Sequence, residues 1–461
     1  MLFNSPLFII YFLPLFLDAY YLVPNQWKNL VALFASLAFY AWGAPTFALI
    51  LMLSGTLDYY LSKKLKSSDV LPWLYVGVGY NLATLFLFKY FNFFIENVHQ
   101  VFDSLGLGFN AHLELVLPIG ISFFTFQKIS YLVDVYRGDS ERADSLINYL
   151  LFVSLFPQLI AGPIVRYKEI ANQLGHRFES DNWQNRLGGM YRFIIGLSKK
   201  VLIADALIPI VSDSFGVSEI SAPQAWIGLL AYTMQIYFDF SGYSDMAIGL
   251  GRMMGFRFPE NFDWPYIAKG FQDFWARWHI TLSNFMRDYL YIPLGGNRNG
   301  KWLNTRNLWI VFLLSGFWHG ASWTFVLWGA WHGFFITIDR FSSIFRKLPS
   351  VISQVLTLLL VMLGWVWFRS ETMHEALVFF HSLFSWNEFE ISLSNRAWFV
   401  LGLCLVFSVI PAVSRLNLEV VFESNNKRSD LYKSFFAFAL LILCLGQMAL
   451  SHGKPFIYFR F

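Results

Sequence analysis

Asn307-Leu-Trp-Ile-Val-Phe-Leu-Leu-Ser-Gly-Phe-Trp-His319-Gly-Ala-Ser-Trp-Thr-Phe-Val-Leu-Trp-Gly329 is long enough to cross a bilayer, contains no charged residue and holds one imidazole at its centre. A membrane-spanning helix needs about 20 predominantly apolar residues. An ionisable group inside such a run costs free energy and marks a functional site by default. Ser315, Gly316, Gly320, Ala321 and Ser322 flank the imidazole, and small residues let neighbouring helices approach closely. His319 is therefore expected where helices pack, away from lipid. A second tryptophan-histidine pair lies upstream, in Phe274-Trp-Ala-Arg-Trp278-His279.

The rest of the chain agrees with a membrane setting. Of 461 residues 56% are hydrophobic and 14% charged, with 18 Trp and 51 Phe, against about 25% charged residues in soluble domains. Spanning-length apolar stretches recur near 6–24, 29–50, 72–94, 144–165, 190–212, 222–252, 307–329, 351–369, 396–414 and 433–451, with a weaker one at 113–136. The expected fold is all-α, a polytopic bundle of roughly ten to twelve spans forming a single domain over residues 1–461. The first stretch lacks a basic leader and a small-residue cleavage site, so it is expected to be a retained span. The first loop with several cations, Lys63-Lys64-Leu65-Lys66, belongs in the cytoplasm by the positive-inside rule, with Met1 outside. A net charge of +4 without a basic arm argues against a nucleic-acid partner. Cys404 and Cys444 lie in apolar stretches and are not expected to pair. His374 opens His-Glu-Ala-Leu-Val, but a zinc-binding helix of that type needs a second histidine at 378, so no metal site is expected.

Charge concentrates between Lys269 and Arg306, where Lys269, Arg277, Arg287, Arg298, Lys301 and Arg306 face only Asp273 and Asp288. Trp275, Trp278, Tyr289, Tyr291 and Trp302 are interleaved with them, a mixture suited to short helices at the headgroup level. Arg277, Arg287, Arg298 and Lys301 are candidate ligands for the phosphates of a cytosolic donor. Pro293-Leu-Gly-Gly-Asn-Arg-Asn-Gly300 supplies a turn rich in residues that tolerate positive φ. It is no phosphate loop, because neither a preceding strand nor a Gly-Lys-Ser/Thr accompanies it.

A lone membrane histidine most often makes an interhelical hydrogen bond. Two Trp-His elements, one on a basic interfacial segment and one in a small-residue span, point instead to proton transfer, for which imidazole is suited near neutral pH. His319 and His279 are the candidate catalytic residues, with Trp318 and Trp278 beside them. His332 is expected to cap or line the helix pair of His319, and His99, His112, His176, His381 and His452 to lie near loops or segment ends. Upstream, Asp239, Ser241 and Asp245 form a polar constellation in an apolar stretch. The two carboxylates either pair with Arg252, Arg277 or Arg287 as fold-specifying bridges, or one of them orients a catalytic histidine.

Leu117-Pro-Ile-Gly-Ile-Ser-Phe123, Tyr131-Leu-Val-Asp-Val-Tyr-Arg-Gly138, Leu159-Ile-Ala-Gly-Pro163, the block from Tyr237 to Asn261, Trp278-His-Ile-Thr-Leu-Ser283, Tyr289-Leu-Tyr-Ile-Pro-Leu-Gly-Gly-Asn297, Trp318-His-Gly-Ala-Ser-Trp323 and Phe456-Ile-Tyr-Phe-Arg-Phe461 resemble, in order and across nearly the whole chain, the alginate O-acetylation branch of the membrane-bound O-acyltransferases. The resemblance implies tilted transmembrane helices and short interfacial helices around a central tunnel in a bacterial inner membrane. It implies His319 as the catalytic residue and His279 at the family's earlier polar position. His319 would act as general base on a hydroxyl, with an acyl-histidine intermediate as the alternative, and His279 would orient groups or stabilise an oxyanion. The donor would be acetyl-CoA, as substrate and not as resident cofactor, or an acyl carrier protein. A periplasmic or extracellular SGNH-type acetyltransferase would pass the acetyl group to a polysaccharide such as alginate, another exopolysaccharide or peptidoglycan. The chain is somewhat shorter at its C-terminal end than the alginate type, which leaves the polymer open. Alternatives are a teichoic-acid type D-alanyl transferase, a lipid or protein acyltransferase, and a proton-coupled transporter, although the inverted repeats of a transporter are not visible in the sequence.

Overall fold

The computed structural model describes residues 1–65, 70–107, 115–177, 182–216, 220–298, 300–342, 344–386, 391, 393–414, 427–451 and 456–457. Lys66, His112, His452, Asn299 and the last four residues of the C-terminal motif lie outside them. The described residues are almost entirely helical and contain no strand longer than the isolated bridge between Phe262 and Trp278. They group into two compact units, one built mainly from Leu7–Asp181 and the other from Asn182–Met254 and Pro259–Phe461.

The first unit holds α1 (Leu13–Leu22), α2 (Asn25–Ala41), α3 (Pro45–Lys64), α4 (Val70–Leu85), α5 (Phe91–Ser104), α6 (Ile121–Arg137), α7 (Leu146–Ser154), α8 (Phe156–Leu159) and α9 (Tyr167–His176). Phe8, Phe12, Phe16, Phe39 and Phe156 form its aromatic core, with ring centroids 5.2–6.2 Å apart. Lys128 on α6 and Asp58 on α3 are both buried and pair at 3.2 Å. Asn81 on α4 donates to the same carboxylate at 2.9 Å, so the ions are neutralised inside the unit, as burial requires.

The second unit holds α10 (Trp183–Ser198), α11 (Asp205–Phe215), α12 (Ala222–Met253), α13 (Phe271–Arg277), α14 (Ile280–Met286), α15 (Gly300–His319), α16 (Trp323–Ser342), α17 (Ile344–Lys347), α18 (Ser350–Arg369), α19 (Met373–Ser382), α20 (Asn395–Ser414) and α21 (Lys427–Ser451). Its organising contact is α10 against α12. A Cβ built on Gly189 would sit 2.6 Å from the Gly249 carbonyl oxygen, and one on Gly196 only 2.4 Å from that of Gly242. The reciprocal distances, 2.5 and 2.7 Å, are equally short. Two glycine pairs, each partner seven residues or two helical turns from the next, therefore bring antiparallel backbones into direct contact. Such approach supports association where the hydrophobic effect between helices is weak.

Among the described residues, three stretches are both long and apolar enough to cross a membrane by length and composition, Val70–Ser104, Ser350–Arg369 and Asp430–Leu450. Others expected as uninterrupted spans are broken or carry buried polar groups. The 144–165 stretch divides into α7 and α8 at Leu155, where Pro157 starts a new turn. The 190–212 stretch passes through a π-helical turn at Lys199–Ala204, which carries two lysines into the helix bundle. Cys404 and Cys444 are buried and unpaired with each other.

Candidate active site

His319 is the last residue of α15. The small residues around it act as the sequence suggests. A Cβ on Gly316 would lie 2.3 Å from the Phe325 carbonyl oxygen, and one on Gly329 2.4 Å from that of Phe312. The backbones of α15 and α16 therefore touch, and α16 delivers Trp328 onto the imidazole. The His319 ring is buried among Trp318, Trp328 and Phe368, with centroids 4.9, 5.0 and 5.2 Å away.

His279 sits in the break between α13 and α14, fully buried, with φ of +45°. A left-handed conformation in a residue with a Cβ costs on the order of 1–3 kcal/mol and persists only when its surroundings enforce it. Here they do. The Phe262–Trp278 bridge, the Asp263 N–H on the Arg277 carbonyl (2.9 Å) and the Ile280 N–H on the Asn261 carbonyl (3.0 Å) clamp both sides of the turn. The imidazole meets Phe240 of α12 edge to face at 4.7 Å. Its Nδ1 lies 3.0 Å from Asn261 Oδ1. The same oxygen accepts from the Thr281 N–H (3.3 Å) and Thr281 Oγ1 (2.8 Å), and Asn261 Nδ2 donates to Ser244 Oγ on α12 at 3.0 Å.

The indole of Trp318 contacts both imidazoles, His319 at 4.9 Å and His279 at 6.3 Å. Two histidines 40 positions apart in sequence thus flank one aromatic ring. Trp278 supports the arrangement from behind, packed on Phe274 at 5.7 Å and Trp365 at 5.0 Å. His332 lines the same region, enclosed by Trp275, Trp328 and Phe271 at 5.1, 4.9 and 5.5 Å. Neither of its ring nitrogens has a hydrogen-bond partner among the described residues.

The two carboxylates of α12 find other partners than Arg252, Arg277 and Arg287. Asp245 pairs with Lys199 at 2.5 Å and Arg192 at 3.0 Å, and Arg192 also binds Glu260. Asp239 pairs with Lys200 at 2.5 Å and accepts the backbone N–H of Ile457 at 2.9 Å. Lys200 also reaches Asp205 at 2.9 Å. All these cations lie on α10 or the π-helical turn that follows it, which the glycine crossing lays against α12. Arg252 instead approaches the side-chain oxygen of Asn185 at 3.3 Å. A polar cavity of about 30 Å³ is lined by Arg192, Lys199, Ser241, Ser244, Asp245 and Asn261 among others, so the ion cluster connects to the imidazole network through Ser244 and Asn261. Neither carboxylate bonds to an imidazole among the described residues.

The candidate donor-binding cations are dispersed. Arg277 is held by Asp273 at 2.6 Å and Asp263 at 3.2 Å, and Arg287 by Asp288 at 2.7 Å. Arg298 and Lys301 are exposed at the turn into α15, where Gly295, Gly296 and Gly300 adopt positive φ. Sequence reasoning passed over Asn261, Thr281, Ser244, Trp328 and Phe368 as site residues. Asn261 carries no signal in spacing, because it meets His279 only through the bridge between two loops.

Residues 37–369 match the family described as MBOAT, membrane-bound O-acyltransferase family. The chain is 44% identical over 406 residues to a probable alginate O-acetylase, AlgI, of Pseudomonas aeruginosa, covering 86% of this chain and 77% of that protein. It is 40% identical over 417 residues to a peptidoglycan O-acetyltransferase of Helicobacter pylori, covering 82% and 78%. A teichoic acid D-alanyltransferase of Bacillus subtilis matches at 26% identity over 284 residues, 56% of this chain and 70% of that one.

Proposed function

From the premise that the chain belongs to the membrane-bound O-acyltransferase family, we propose that it moves an acetyl group from a cytosolic donor through a bacterial inner membrane, for ester formation on an extracytoplasmic polysaccharide. Alginate and peptidoglycan are named for relatives that match more of this chain, and more closely, than the D-alanylating relative does. The chain is a membrane protein and an O-acetyltransferase. Acetyl-CoA is the proposed donor, and a separate SGNH-type acetyltransferase outside the membrane the proposed recipient.

The observation that supports this reading is the pair of buried histidines flanking the Trp318 indole. His319, enclosed by rings that exclude water, is the proposed proton acceptor for the hydroxyl that attacks the thioester. A positioned general base contributes about 10²–10⁴-fold. Arg298 and Lys301 suit the donor's phosphates better than Arg277 and Arg287, whose guanidinium groups are already engaged by carboxylates. Inside-out vesicles given radiolabelled acetyl-CoA test the reading directly. Wild-type protein should yield labelled acceptor, and His319→Ala and His319→Gln should lose transfer at matched protein levels. Wild-type transfer in either variant, or labelling only when an acyl carrier protein replaces the coenzyme, would overturn the respective assignment.

A further inference from the structure

The hydrogen-bond pattern around Asn261 decides which nitrogen of His279 carries the proton. The Thr281 backbone N–H is a donor in every state, and it points at one side-chain atom of Asn261 at 3.3 Å. That atom must be the carbonyl oxygen, since the amide nitrogen there would set donor against donor. Thr281 Oγ1 at 2.8 Å agrees, and Ser244 Oγ, 3.0 Å from the opposite amide atom, takes the NH₂. With Oδ1 so fixed, His279 Nδ1 at 3.0 Å has to be a donor, because an amide oxygen accepts only. A neutral imidazole has one N–H, so Nε2 is its lone-pair nitrogen.

We propose that Asn261 is a positioning residue that holds His279 in this tautomer, so that His279 meets the acyl acceptor as a hydrogen-bond acceptor through Nε2. This rests on the reading of the two-histidine site given above and assigns its second member. It replaces the oxyanion-donor role, which a neutral His279 bonded to Asn261 through Nδ1 has no proton at Nε2 to perform. A donor of the acyl acceptor beside the attacking hydroxyl bonds to His279 Nε2 and so orients that hydroxyl toward the acyl carbon, while the attacking hydroxyl's own proton passes to His319.

The backbone supports the assignment independently. The φ of +45° at His279 is enforced by the pairing of residues 261–263 with 277–280, so one pairing of two loops fixes both the imidazole's strain and its hydrogen-bond partner. Asn261 is itself tied to α12 through Ser244. The tautomer is thereby referred to the helix that bears the Asp245 ion cluster.

Purified protein reconstituted with acetyl-CoA and the extracytoplasmic SGNH-type acetyltransferase proposed as its recipient tests the inference. Asn261→Ala should lower kcat roughly 10–100-fold, the usual scale for loss of an orienting partner, with little change in KM for the donor. Installing Nδ1-methylhistidine at position 279 of the same variant fixes Nε2 as the lone-pair nitrogen without Asn261, and its methyl group enters the space the amide leaves. This should recover at least about tenfold of the loss, which a merely structural role for Asn261 would not allow. Asn261→Asp, whose carboxylate accepts the same three donors, should keep kcat within about threefold. Failure of Nδ1-methylhistidine to rescue a folded Asn261→Ala protein would overturn the proposal, as would activity of Asn261→Ala equal to wild type or an inactive but folded Asn261→Asp. Should His319→Gln keep full activity instead, the site reading fails, while the methylhistidine comparison still reports the His279 tautomer.

Discussion

Replacing Gly196 or Gly249 by alanine tests the packing that places the α12 carboxylates. The new Cβ would meet the Gly242 carbonyl oxygen at 2.4 Å in the first case and the Gly189 carbonyl oxygen at 2.5 Å in the second. Real Cβ contacts are essentially never shorter than 3.0 Å, so the helices must part by about 0.6 Å (3.0 less 2.4) or 0.5 Å (3.0 less 2.5). The obstructing atoms are backbone and cannot rotate aside. Overpacking of this kind costs about 1–3 kcal/mol, enough to lower the melting temperature by several degrees. The double variant should cost less than the sum, because the first alanine already separates the helices for the second. Lys199 and Arg192 lie on the moving side, so their bonds to Asp245 lengthen and acetyl transfer should fall together with stability. Gly79→Ala is the control, for its Cβ would have no atom within 4 Å and a mid-helix alanine is favoured by about 0.5–1 kcal/mol. Thermal unfolding in detergent, followed by size-exclusion fluorescence, reads all four proteins. Unchanged melting of both Gly196→Ala and Gly249→Ala would refute direct backbone contact between α10 and α12.

Two further predictions follow the same residues. His332→Leu should retain O-acetylation and melt no lower than wild type, because a buried imidazole with no hydrogen-bond partner among the described residues gains nothing from its nitrogens; loss of transfer in a stable variant would show that a ring nitrogen is used in the reaction. Asp245→Asn should destabilise by on the order of 3 kcal/mol by leaving two cations without their buried counter-ion, and adding Lys199→Met should restore part of the melting temperature. Equal melting of the single and double variants would argue that the cluster contributes little.

The helix packing around His319 was readable from residue types alone. An imidazole inside a charge-free span, with Gly316 and Gly320 around it, implies helix packing at His319, and α15 and α16 do meet there through backbone contact at Gly316 and Gly329. The second Trp-His pair likewise indicated a partner, which Trp318 now joins to the first. The network behind His279 could not be read, because Asn261 and Thr281 converge through a bridge of two residue pairs with no periodicity. The partners of Asp239 and Asp245 were misassigned for a different reason. Arg252 lies seven residues from Asp245 on the same helix and looked available, whereas Lys199 and Lys200 sat in what read as an apolar span. Their place inside the bundle depends on the glycine crossing and the π-helical turn, and neither has a local sequence signature. Breaks such as Leu155–Pro157 and helices lined with buried polar groups were not legible, because hydropathy does not register them.

The bond from the Ile457 N–H to Asp239 has a consequence for biogenesis. Asp239 Oδ2 receives a donor from a residue 218 positions downstream, and Phe456 packs on Tyr243 at 4.3 Å and beneath Lys200 at 4.7 Å. Chains enter the membrane in order of synthesis, so α12 must wait in the bilayer with that oxygen served by water or by a chaperoning surface until Ile457 has been made. Until then Lys200 alone serves Asp239, and a ribosome stalled before residue 457 would leave α12 with one carboxylate oxygen unserved for quality control to recognise.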